Sequence, residues 1–60
     1  MQDYLMILYN NITNQEMRIY FDAYNDEVLS TADEELELAM IKEHTRSLEI
    51  LCIKQIGFRE

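Results

Sequence analysis

Sixty residues carry twelve acidic and five basic side chains, a net charge of −7, which argues against direct binding to nucleic acid or to an anionic membrane and favours a basic partner. A chain this short buries only roughly 60% of the surface it exposes when unfolded. With one cysteine (Cys52) and one histidine (His44), disulfides and a structural metal are nearly excluded as compensation, which leaves association. The apolar fraction of 48% is too high for a disordered acidic tail, so one small folded domain spanning residues 1–60 is expected.

The lone cysteine points to a reducing compartment, since a secreted domain of this size would carry an even set. The longest N-terminal apolar run, Tyr4 to Tyr9, is too short for a signal-peptide core or a membrane span. The expectation is a cytoplasmic protein without a targeting segment.

In chain order, residues 3–10 (DYLMILYN) form a continuous apolar run of strand-forming types, which predicts a strand buried on both sides. After a short Asn-rich connection the pattern alternates. Met17, Ile19, Phe21 and Ala23 fall on one face, and Glu16, Arg18, Tyr20, Asp22 and Tyr24 on the other, predicting a half-buried second strand and an antiparallel hairpin.

From Asn25 the period becomes helical. Val28, Leu29, Ala32, Leu36, Ala39 and Met40 fall within an arc of about 120°, the stripe that a helix packed on a sheet requires. Two starts are compatible with the sequence: Asn25 as N-cap, or Ser30 or Thr31 with an acid three residues later in the manner of a capping box. The later start is favoured. Either start places carboxylates in the early turns and Lys42, His44 and Arg46 near the end, as the helix dipole prefers.

Residues 47–56 (SLEILCIKQI) predict a third strand, with Leu48, Ile50 and Cys52 toward the helix and Glu49, Leu51, Ile53 and Gln55 opposite. A right-handed crossover then lays the third strand beside the first. The expected fold is α+β in β-β-α-β order: a three-stranded antiparallel sheet with one helix on one face and the first strand central.

One helix covers one face, so the other face is left with Tyr20, Leu51 and Ile53, with Tyr24 near its border. The first strand adds either Tyr4, Met6 and Leu8 or Leu5, Ile7 and Tyr9. This face is either closed by the chain ends, including Phe58, or serves a homodimer or a partner, because large apolar patches are uncommon on monomers. On the helix, Leu38 and Ile41 fall about 120° or more from the centre of the core stripe, beside Glu34 and Glu37. Single exposed apolar residues are ordinary; the functional reading is a ridge of two apolar anchors rimmed by carboxylates. Seven acids, Asp22, Asp26, Glu27, Asp33, Glu34, Glu35 and Glu37, occur with no Lys or Arg between Arg18 and Lys42. Such a run is commonly a solvated face, but like charges at i,i+4 cost stability, and a retained charge of one sign also steers association with a positive surface.

Residues for chemistry are missing. Cys52 and His44 are the one Cys–His pair, and Cys52 reads as a small mid-strand hydrophobe. No EF-hand spacing, CxxC, His pair or Gly-rich phosphate loop occurs. The expectation is a non-enzymatic protein with no catalytic residues, no cofactor and no metal, whose partner-binding candidates are Asp33, Glu34, Glu37, Leu38, Ile41, Tyr20, Leu51 and Ile53.

In length, in strand–strand–helix–strand order, in Asp26-Glu27-Val28 ahead of the helix and in Cys52 in the last strand, the chain resembles the Dmd-like antitoxins of T4-like bacteriophages. The resemblance implies an inhibitor of a host endoribonuclease toxin, acting in the host cytoplasm. No site residues of that family carry over by motif. An anti-CRISPR or DNA-mimic inhibitor fits the composition equally well, and the alternative from another class is a homodimeric or assembly module docking through the open sheet face.

Overall fold

The computed structural model describes residues 1–58, with the backbone alone at Phe58, so the closing role considered for the Phe58 side chain lies outside the described residues. The observed architecture is the α+β fold expected. Strands β1 (Gln2–Asn10) and β2 (Gln15–Ala23) form a hairpin; a 3-10 turn (Asn25–Glu27) leads into helix α1 (Val28–Lys42); β3 (Leu48–Phe58) returns along β1. The sheet order is β2-β1-β3 with both pairings antiparallel. β1 is therefore central, as its two-sided hydrophobicity requires.

Chain chemistry closes the hairpin. Asn10 is buried, and its side-chain Oδ1 accepts hydrogen bonds from the backbone N–H groups of Ile12 (2.8 Å) and Thr13 (3.2 Å). Its carbonyl accepts from the N–H of Asn14 (2.8 Å), which sits in the left-handed region at φ 59°. Asparagine tolerates that conformation better than most residues. The Tyr9 hydroxyl donates to Asn14 Oδ1 at 2.9 Å. The loop is also tied to the start of β3, because both the backbone N–H and the side-chain amide of Asn11 donate to the Ser47 carbonyl.

The core lies between the sheet and α1. Tyr4, Met6 and Leu8 of β1 point into it, with Phe21 and Ala23 from β2, Leu48 from β3, and Ala32 and Ala39 from the helix. Met6 and Leu8 are fully buried, and each contributes about 1.5–3 kcal/mol through burial. The buried helix positions are both alanines, so α1 approaches β2 and β3 on small side chains, with Val28, Leu36 and Met40 packed around them. Leu29, expected in this stripe, is instead 75% exposed. Angle does not separate it from Met40, which stands at least as far from the Ala32–Ala39 line and packs on the core; Leu29 differs in lying in the first turn of the helix.

The helix starts early. Asn25–Glu27 form the 3-10 turn, closed by a bond from the Glu27 N–H to the Tyr24 carbonyl (2.9 Å), and α1 proper begins at Val28. The favoured start at Ser30 or Thr31 is thus corrected. Ser30 makes no cap; its hydroxyl donates to the Glu27 carbonyl (3.1 Å) from inside the helix, a side-chain bond that competes with capping. At the other end, the Thr45 N–H bonds the Met40 carbonyl (3.0 Å) and the His44 N–H bonds the Ile41 carbonyl (3.2 Å), with His44 at φ 53°. This is a Schellman closure with histidine where glycine is usual.

β3 departs from the expected phase. Its register against β1 runs Leu8↔Ile50 and then Ile7↔Cys52, so Leu51 is an extra, unpaired residue; a second irregularity leaves Ile56 unpaired. A bulge of this kind reverses which side chains face the core. Ile53 lies opposite Met6 and packs on the core, whereas Cys52 lies opposite Ile7 on the open face. Both orientations are the reverse of the sequence expectation.

Candidate functional site

Five of the eight candidate residues come together on α1. Leu38 is 60% exposed and Ile41 70% exposed, on the side of the helix turned away from the Ala32–Ala39 line, with Asp33, Glu34 and Glu37 all exposed. Helical spacing sets Glu34 one turn before Leu38 and Glu37 one turn before Ile41, while Leu38 and Ile41 are themselves i,i+3 neighbours. The result is two adjacent columns, each a carboxylate next to an apolar anchor, with Asp33 flanking Glu37.

The ridge runs into a shallow depression of about 470 Å³ lined by Glu37, Met40, Ile41, His44, Thr45 and Arg46. Met40 and Ile41 give its lining apolar surface, Glu37 an acceptor, and Arg46 and His44 donors. The left-handed turn at His44 folds the chain back and brings Thr45 and Arg46 beside the helix end. Of these, Glu37 and Ile41 are sequence candidates, whereas Met40, His44, Thr45 and Arg46 are not. The missing signal was backbone geometry, because no glycine marks the end of the helix.

The remaining candidates lie elsewhere. Tyr20, 65% exposed, is opposite Leu5 on the open sheet face. Leu51 is half exposed at the β3 bulge. Ile53 packs on the core and leaves the candidate surface.

The register resolves which alternate set of β1 faces outward: it is Leu5, Ile7 and Tyr9. Across the open face these residues form the middle of the rows Tyr20–Leu5–Lys54, Arg18–Ile7–Cys52 and Glu16–Tyr9–Glu49. Its centre is half-buried; Tyr20 widens the apolar surface beside Leu5 and Cys52 widens it beside Ile7, while the Tyr9 row is charged on both sides.

Among the described residues, no group of three or more His, Cys, Asp or Glu is placed to hold a metal ion, and no helix is long and apolar enough to cross a membrane. No family model, no curated protein and no solved structure matches the chain.

Proposed function

We propose that the protein is a non-enzymatic inhibitor that docks the α1 ridge on a basic, nucleic-acid-handling protein in the cytoplasm, a host endoribonuclease toxin being the favoured target. The observation that carries this reading is the exposure of Leu38 and Ile41 within a rim of Glu34, Glu37 and Asp33. Apolar anchors in the middle of a contact supply most of its affinity, and a surrounding ring of one charge supplies on-rate and discrimination. The net charge of −7 acts in the same direction at longer range. A basic groove that normally holds an RNA backbone is the complementary surface, and filling it would block substrate access.

The competing reading, an assembly module docking through the open sheet face, draws on the exposure of Tyr20 and Leu51. It is weakened by the charged residues that interrupt this face, Lys54 beside Leu5, Arg18 beside Ile7, and Glu16 and Glu49 beside Tyr9.

The two are separated by capture of a partner from host lysate with the wild-type protein, Leu38→Asp and Leu51→Asp, each confirmed as folded by circular dichroism. Loss of the partner with Leu38→Asp and retention with Leu51→Asp is the result expected. The reverse pattern would place the contact near the bulge, and retention by both variants would reject both surfaces.

A further inference from the structure

The two outer edges of the sheet differ. β3 is interrupted twice, at Leu51 and Ile56, and bulges of this kind spoil an edge as a template for pairing. β2 has no such protection. Its nine residues run in unbroken register with β1 from Gln15 to Ala23, without proline or glycine. A regular edge strand of this length is a ready template for another strand.

We propose that β2 pairs antiparallel with β2 of a second copy, with the twofold axis at Tyr20, to give a continuous six-stranded sheet. The order of side chains along the strand argues for this occupant and this register. Centring on Tyr20 sets Arg18 of each copy opposite Asp22 of the other, two opposite-charge cross-strand pairs related by symmetry. On the helix side the same register sets Ile19 opposite Phe21 and Met17 opposite Ala23, so apolar residues meet apolar residues over the full span from 17 to 23. The exposed ring of Tyr20 meets its own copy at the axis.

Neighbouring registers are poorer. Centring on Ile19 sets Glu16 against Asp22. Centring on Arg18 sets that arginine against itself. Centring on Met17 pairs Glu16 with Arg18 but shortens the paired segment to residues 15–19. The dimer so formed carries both helices on one face of the sheet, and each α1 ridge, turned away from its own sheet, stays open. The inference is therefore independent of what the ridge binds.

The test is sedimentation of the full chain from micromolar to millimolar concentration at physiological ionic strength, where the remote like charges of the two copies are largely screened. The wild-type protein is expected to dimerise. Arg18→Asp and Asp22→Arg are each expected to weaken the dimer by at least about tenfold, and the two together to restore it.

Cross-linking checks the register even if a charge variant fails to fold. In a Cys52→Ser background, Tyr20→Cys brings two thiols to directly paired positions, where Cα atoms lie about 4.5–5.5 Å apart and a disulfide can form. Arg18→Cys leaves its thiols about 13 Å apart along the strands. Rapid cross-linking at position 20 alone supports the proposal. A wild-type protein that is monomeric throughout, or equal cross-linking at both positions, overturns it.

Discussion

Tyr4 and Phe21 face each other across the β1–β2 ladder, and their rings stack with centroids 5.6 Å apart and planes inclined by 18°. Both are buried, and the Tyr4 hydroxyl reaches the Gln2 side-chain oxygen at the rim. Ring contact of this kind adds about 0.5–1.5 kcal/mol beyond the area buried. Phe21→Ala should therefore cost about 3–5 kcal/mol in urea unfolding, enough to abolish folding in a domain this small. Tyr4→Phe keeps the stack and should cost only about 1 kcal/mol.

The bulge in β3 makes a second prediction. Ile53, opposite Met6, belongs to the core, so Ile53→Asp should destabilise by more than about 3 kcal/mol. Leu51→Asp, at the unpaired and half-exposed bulge position, and Cys52→Ser, on the open face, should each stay within about 1 kcal/mol of the wild type. If the strand ran in unbroken phase, Cys52→Ser would be among the costly changes and Ile53→Asp among the tolerated ones. Urea midpoints for the three variants decide between the two arrangements.

His44 occupies the left-handed position that closes α1. A side chain there costs about 1–2 kcal/mol that glycine avoids, while glycine gives back part of this through the entropy of the unfolded chain. His44→Gly should accordingly raise stability by about 0.5–1 kcal/mol, read as an increased urea midpoint, and His44→Val should lower it. Asn14 has nearly the same backbone angle, but its Oδ1 accepts the Tyr9 hydroxyl, so Asn14→Gly should show little or no gain.

At Asn10 one side-chain oxygen serves two backbone N–H groups in the hairpin loop, from a buried position. Asn10→Ala leaves both donors without that partner and should cost about 1–2 kcal/mol. Asn10→Asp keeps the acceptor and should cost less. Thermal unfolding of the two variants side by side measures the difference.

Much of this architecture is written in hydrophobic period. The unbroken run from Tyr4 to Tyr9 requires a central strand, and the alternation from Glu16 to Ala23 assigns each side chain of β2 to the face it occupies. The errors fall where period carries no information. Ile50-Leu-Cys-Ile53 is four apolar residues in succession, so no polar residue records the phase change that the bulge introduces. At the helix start, Ser30 and Thr31 carry the chemistry of a cap, yet the 3-10 turn at Asn25 and the packing of Val28 begin the helix earlier. Leu29 has nearly the wheel angle of Met40, yet in the first turn it is exposed whereas Met40 packs on the core, a difference that angle does not carry. The ridge was legible because it is defined by angle, whereas the depression beside it depends on a left-handed histidine that no residue type announces.

The most direct test of the proposed function is RNA cleavage by a host endoribonuclease toxin, titrated with the wild-type protein and with the folded variant Leu38→Asp. The reading predicts that near-stoichiometric wild-type protein protects the RNA, that protection weakens as salt rises and screens the carboxylate rim, and that Leu38→Asp requires at least about tenfold more protein for the same protection. Equal protection by Leu38→Asp, or protection indifferent to salt, would contradict the ridge as the contact; no protection by the wild-type protein would contradict the toxin as its target.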